Sequence, residues 1–392
     1  MPDPLVISLA SQTPLQSVSA CSPSEIGSWW SGRVPLFLGV DALPVLDRWD
    51  AELLGSMPPS FPGWKPEGPG RTPFEAAPLV AFLRHHAQAG TPFSFNALWR
   101  EQQGGREYPF HIPGYAGKLT ISKRAYNDAK THTSRLMLSA IRRDVRALLR
   151  LPPGWTLITG DFKSCHGYLA FGITGDPDLA RDLAAGFHQV TGDWIVDHSV
   201  EKAKRRDFGK LVNNSMLFGL SAYGLQRHVQ EVFEHDPGIE WASWAWDAWW
   251  ARYGSVRAFR EEVQDVVRQA QLDRRGLVIV SPAGWKSTFY RAEVMGKVAK
   301  GSSKPSKGPE GAWRTVFSAI FRAVEGDLLQ RTLAHFHADR ARHGGQPVLP
   351  LYDGLLVAAP IGREEEVWAA LEAAGELAAG EMGVLGLGME RK

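Results

Sequence analysis

A chain of 392 residues, 44% apolar and 22% charged, is long enough for roughly two or three structural units around a sizeable core, and its composition is that of a soluble globular protein. No apolar run approaches the ~20 residues of a membrane span, Cys21 and Cys165 alone exclude a disulfide framework or a cysteine zinc site, and a net charge of +2 does not by itself demand a polyanionic partner. Met1 to Gln16 lacks a basic stretch followed by an apolar core, so no secretory signal is expected, no membrane partner is expected, and the expected location is cytoplasmic.

From Met1 to about Ile112 the sequence is rich in Pro, Gly and Trp and reads as irregular structure around short helices. The pattern tightens from Lys118. Ile141 to Leu151 has helical spacing that ends at Pro152-Pro153-Gly154, and Trp155 to Thr159 reads as an apolar strand with Asp161 at its end. A helix is expected over Gly167 to Phe171, and Asp176-Pro177-Asp178 is a good start for another over Leu179 to Ala185. Lys202 to Leu217 has no Pro, a single Gly and cations on one face, which predicts one long helix closed by Phe218-Gly219. Gly224 to Phe233 and Trp241 to Gln271 read as helical, with the tryptophans of Trp241 to Trp250 as packing residues rather than base-stacking platforms. A short strand over Gly276 to Val280, a flexible basic loop over Lys300 to Gly311 and a helix over Thr315 to His337 follow. Pro347 to Ala359 then predicts a hairpin with Asp353 at its turn, and Glu364 to Ala379 a closing helix.

Asp161 and Asp353 are each carried on an apolar run, and a cationic helix lies between them in sequence. Two carboxylates on adjoining strands can hold two divalent cations about 4 Å apart, and a cationic helix facing them can grip a triphosphate. Arg206, Lys210, Asn214 and Phe218 recur at every fourth position and so share one face, cationic at one end and aromatic at the other. Each feature also has a plainer reading: an N-cap for Asp161, a turn signal for Asp353-Gly354, an amphipathic surface helix for the cations. His188, polar among apolar neighbours, could donate to a phosphate or be structural.

Taken in order, these segments resemble the polymerase domain of the family A DNA polymerases, the bacterial polymerase I type, and the related single-subunit phage RNA polymerases. Thr133-Ser134-Arg135-Leu136 is similar to the family's Thr-Gly-Arg-Leu stretch, and Asp161-Phe162-Lys163-Ser164 to its motif A, Asp-Tyr-Ser-Gln. Gly186-Phe187-His188 resembles the later His-Thr element. Arg206 to Tyr223 resembles motif B, Arg-x3-Lys-x7-Tyr-Gly, with Phe218 in the Tyr place. Ala323-Val324-Glu325-Gly326 is similar to the Met-Gln-Gly stretch, and Leu351-Tyr352-Asp353-Gly354-Leu355 to motif C, His-Asp-Glu. The resemblance covers about Arg124 to Ala379.

It implies an α+β right-hand polymerase fold with an antiparallel-sheet palm (118–175 and 271–392), helical fingers (176–270) and, in 1–117, an atypical N-terminal region in place of the thumb. It also implies two Mg²⁺ ions, with Mn²⁺ able to substitute, on Asp161, Asp353 and the Phe162 carbonyl. Arg206, Lys210 and His188 would hold the triphosphate, Lys210 would protonate pyrophosphate, Phe218 would lie beneath the new base pair, and Asn214 and His166 would border the sugar. Arg135, Tyr352, Glu325 and Tyr223 would contact nucleic acid. Partners would be template and primer DNA, dNTP or NTP, and a helper such as a processivity factor or helicase.

Three departures bear on this. His166 replaces motif A's Glu, Asn214 replaces an aromatic beside the sugar, and Gly354 removes motif C's Glu. The expected function is DNA synthesis by nucleotidyl transfer from dNTPs, without a proofreading exonuclease. The alternatives are a primase-polymerase or single-subunit RNA polymerase using NTPs, and a catalytically silent nucleic-acid-binding replication factor.

Overall fold

The computed structural model of the protein describes residues 3–9, 37–48, 80, 83–91, 107–112, 115–120, 143–195, 204–282, 286–289, 294–295, 308–351 and 353–391. Its first half contributes β1 (Leu5–Ser8), the hairpin β2 (Glu107–Ile112) and β3 (Tyr115–Thr120), the short helix α1 (Arg143–Arg146) and β4 (Trp155–Phe162). A run of helices follows: α2 (Cys165–Thr174), α3 (Pro177–Ala185), α4 (Phe187–Ile195), α5 (Arg205–Leu217), α6 (Ala222–Phe233), α7 (Ile239–Arg252) and α8 (Gly254–Leu272). Strands β5 (Leu277–Val280) and β6 (Lys286–Phe289) lead to the long helix α9 (Gly308–Ala338) and the single turn α10 (Arg340–His343). The chain then forms β7 (Gln346–Leu351), β8 (Gly354–Pro360), α11 (Glu364–Glu381) and β9 (Met389–Arg391).

The central sheet is antiparallel in the order β7-β8-β4-β9. Successive side chains of a strand point to opposite faces, and on β4 Ile158, Gly160 and Phe162 are the buried set. Ile158 and Phe162 enter the same core as Leu371 and Ala374 of α11 and Met389 of β9. Asp161 therefore lies on the other, less enclosed face. β1 pairs parallel to β5, and β5 antiparallel to β6, as a second sheet.

Local chemistry explains the helix starts. Asp176 caps α3 by accepting from the Leu179 amide at 2.9 Å, with Pro177 at the first helical position, and its second oxygen accepts from the Ser255 amide at 2.8 Å, which ties α3 to α8. Asp182 receives Nε and Nη2 of Arg252 at 2.7 and 2.9 Å and the Tyr253 hydroxyl at 2.8 Å. Burial opposes its charge, but these donors hold its carboxyl below the usual range. Trp249 and Trp250 are core residues, in line with the packing role expected of them, whereas Trp244 is 50% exposed.

Several boundaries differ from expectation. The helix expected over Ile141 to Leu151 ends at Arg146, because Arg150 leaves to bridge with Phe37. Trp241 to Gln271 is two helices meeting at Tyr253, whose φ of −103° and ψ of 74° break the ladder. Gly308 to Gly311, expected to be loop, already belong to α9. The hairpin β2–β3 crosses a boundary expected near Lys118, and β1, α4 and β9 were not foreseen. Arg135 and Tyr352 lie outside the described residues, as do 300–307 of the basic loop.

Helices α4 and α5 cross at backbone contact through Gly192 and Gly209. A Cβ on Gly209 would collide with the His188 carbonyl oxygen and lie 2.5 Å from the Gly192 nitrogen. Neither obstacle is a flexible side chain. Gly209→Ala is therefore expected to prise the pair apart and to cost about 1–3 kcal/mol as overpacking. A urea midpoint equal to that of the parent would show that the crossing tolerates a methyl group.

Candidate active site

Asp161 pairs with Gly354 in the β4–β8 register, and the Phe162 amide donates to the Asp353 carbonyl oxygen at 3.1 Å. The end of β4 and the β7–β8 turn are thereby laced together, and both aspartates come to one edge of the sheet. Both are partly exposed. The hairpin signal at Asp353-Gly354 and the strand reading of Asp161 describe the same junction from its two sides.

Gly354 is built into this contact. A Cβ there would lie 2.5 Å from the Gly160 carbonyl oxygen and 2.8 Å from Oδ1 of Asp161. The Asp161 carboxylate leans into room that only glycine leaves. On its other side, Asp161 pairs with Glu390 of β9, so a third carboxylate shares its cross-strand neighbourhood. Sequence reading missed Glu390, because a three-residue strand has too little periodicity to announce itself. Among the described residues no group of three or more His, Cys, Asp or Glu side chains is gathered as a complete metal cage. A donor set of two aspartates at one edge suits a hard divalent cation that completes its shell with carbonyl, water and phosphate oxygens.

Helix α2 begins three residues after Phe162 and presents His166 to α5 and α9. Its ring meets Phe218 edge-on at 4.7 Å, and its Nε2 lies 3.4 Å from Oε2 of Glu325, which is 0% exposed. Arg322 lies over the other ring of this group, 5.7 Å from the Phe218 centroid. Glu325, expected among the nucleic-acid contacts, is thus enclosed beside His166, and burial takes it out of reach of a duplex. Tyr223, near the start of α6, is 62% exposed.

The crossing of α4 with α5 sets His188 beside the cationic face. Arg206 and Lys210 are exposed, and Asn214 and Phe218 are half-buried further along the same helix. His188 is 7% exposed. Its pKa falls to about 3, first through burial and then through the charges of Lys210, Arg206 and His166. The imidazole is therefore a neutral donor at physiological pH. Two exposed cations beside a buried neutral ring are an arrangement that can hold an anion.

Sequence reading singled out Asn214 and passed over its neighbour Asn213, which is fully buried. Asn213 bonds to Trp249, Thr191, Phe187 and His188. An Asn-Asn pair in an otherwise apolar turn, with Thr191 one helical turn beyond His188, is the signal that could have found it.

No protein-family model matches the chain. Curated relatives include a thermostable DNA polymerase I of Thermus thermophilus, 23% identical over 269 residues, which are 64% of this chain and 30% of the relative. A DNA polymerase I of Deinococcus radiodurans is 24% identical over 237 residues, 58% of this chain and 22% of the relative. The chain thus matches less than a third of the length of these proteins. Among solved structures, the POL domain of Pol1 from M. smegmatis, in complex with DNA primer-template and dNTP, superposes with a TM-score of 0.53 at 16% identity, covering 96% of this chain and 70% of that one. At that identity the likeness is one of fold, an α+β polymerase fold. Among the described residues no helix is long and apolar enough to cross a membrane.

Proposed function

We propose, starting from a chain that belongs to the family A DNA polymerases, that it extends a DNA 3′ end on a template with dNTPs. The observation that carries this reading is the β4–β8 register, which brings Asp161 to the Asp353 turn. A binding module needs cations for phosphate and gains nothing from paired carboxylates that repel it.

In this reading 118–175 and 271–392 act as palm, 176–270 as fingers, and 1–117 as the region that replaces a thumb. Asp161 and Asp353, with the Phe162 carbonyl, would hold Mg²⁺. Two such ions, when bound, would acidify the primer hydroxyl and offset charge developing on the transferred phosphoryl group. The chain's own groups do the rest. Arg206 and Lys210 hold the β- and γ-phosphates, and His188 donates as a neutral ring. The primer hydroxyl releases its proton to water as its oxygen bonds the α-phosphorus and the bond to pyrophosphate breaks, and Lys210 protonates the departing oxygen. Phe218 underlies the new base pair, while His166, braced by Glu325, walls the sugar where the family has Glu.

The test is incorporation on primed and unprimed single-stranded DNA with dNTPs or with NTPs. Extension confined to the primed template with dNTPs is expected. Primer-free product, or product with NTPs alone, would replace this reading with the primase or RNA polymerase alternative.

A further inference from the structure

The hydrogen bonds behind His188 determine which of its nitrogens carries the proton. Trp249 Nε1 can only donate, and it lies 2.8 Å from Oδ1 of Asn213. The Thr191 hydroxyl donates to the same oxygen at 3.0 Å. These two donors orient the Asn213 amide, so that Nδ2 faces the opposite way. There it donates to the Phe187 carbonyl at 3.4 Å and meets His188 Nδ1 at 3.2 Å. A donor at that distance requires Nδ1 to be the accepting nitrogen. The buried amide then has all its capacity in use, two bonds in and two out.

We infer that Asn213, held by Trp249, is a positioning residue that locks His188 as the neutral tautomer protonated on Nε2, and so keeps an N–H available to the phosphates of an incoming nucleotide. This rests on the polymerase reading for the identity of the anion, but the lock itself is a property of the free protein. The opposite tautomer would aim a lone pair at a polyanion. A pKa of about 3 agrees, since the ring cannot instead rely on a second proton.

The charged and titratable groups around the ring are Arg206 and Lys210 on α5 and His166 on α2, all of which oppose protonation. Asp193, on the same helix as His188, is 3.8 Å from Arg205. Tyr253, whose ring packs on Phe187, donates a hydrogen bond from its hydroxyl to Asp182, itself paired with Arg252. No carboxylate among these competes with Asn213 for His188 Nδ1.

The test is Asn213→Asp, which keeps the shape and removes the donor. A carboxylate there still accepts from Trp249 and Thr191 but now draws a proton onto His188 Nδ1, leaving Nε2 bare when the ring is neutral. Two readouts decide. The ¹⁵N chemical shifts of the His188 ring in the full chain, without nucleotide, report which nitrogen is protonated. Binding of dATP to the chain on a dideoxy-terminated primer–template, where no bond can form, reports the consequence.

The parent should show an Nε2–H ring and an affinity that His188 does not make pH-dependent. Asn213→Asp should show Nδ1 protonated and about tenfold weaker dATP binding near pH 8.5, recovering near pH 6 as the ring gains its second proton. Trp249→Phe, which keeps the packing but frees the amide to turn, should give mixed tautomers and a loss of roughly two- to fivefold, and serves if the buried Asp prevents folding. An Nδ1-protonated ring in the parent overturns the lock, as do variants with the parent's tautomer and pH profile. A parent with the Nε2–H ring that bound no dATP would support the lock and count against the polymerase reading.

Discussion

Asp161→Asn is expected to lower single-nucleotide incorporation by at least about a thousandfold, and Asp353→Asn to do the same, because either change removes a charge that the proposed cations would need. A metal contributes several kcal/mol to charge stabilisation in such transfers, and each 1.36 kcal/mol is about a tenfold change in rate. The exchange of an oxygen for an amide nitrogen barely alters shape, so folding should survive: the β4–β8 ladder and the bond from the Phe162 amide to the Asp353 carbonyl do not involve these side chains. Primer–template binding should be retained or slightly strengthened, since a negative charge near phosphate is gone. Rapid-quench incorporation beside a DNA-binding titration separates the two effects. A loss of less than tenfold in both variants would place the chemistry elsewhere.

The second large effect is expected where intuition from the family points the other way. Gly354→Glu installs the residue that motif C has in the family A DNA polymerases this chain resembles, yet it should impair the proposed incorporation. The Cβ would press on the Gly160 carbonyl, which is backbone and cannot turn aside, and on Oδ1 of Asp161, which would have to. The carboxylate proposed to hold a metal would move, and misplacement by about 1 Å near reacting groups can cost roughly a hundredfold in rate. Gly354→Ala should show most of the same loss, which assigns it to the backbone contact and not to added charge. An equally active or faster Gly354→Glu enzyme would mean that the strand ends adjust freely, and would make the missing Glu a simple loss.

How much of this was legible in the sequence follows from how local each cause is. The start of α3 was readable because Asp176 and Pro177 act on their own helix. Helix α5 was readable from its cationic repeat and its end at Phe218-Gly219, and the β7–β8 hairpin from Asp353-Gly354. Long-range causes were not readable. β1 exists only because β5 lies beside it, and β9 only because β4 offers an edge. The α1 helix stopped early for a bridge to Phe37, more than a hundred residues away in sequence.

The same division holds at the site. Asp161, Asp353, Arg206 and Lys210 could be picked out as candidates by residue type and spacing, each beside a plainer reading, and it was the family resemblance that joined them into one proposed site. The supporting shell could not be picked out. Asn213, Trp249 and Thr191 come from three helices and mean nothing until the Gly192–Gly209 crossing brings α4 and α5 together. His166 and Glu325 likewise belong to different helices, and only their 3.4 Å approach shows that a carboxylate stands beside the position where the resembled motif has Glu.

The most direct measurement of the central claim is an anomalous diffraction map of the chain bound to a dideoxy-terminated primer–template, dATP and Mn²⁺. Two Mn²⁺ peaks about 4 Å apart are expected, both in contact with Asp161 and Asp353, with the triphosphate reaching toward Arg206 and Lys210. Nucleotide bound with its Mn²⁺ away from both aspartates would contradict the account.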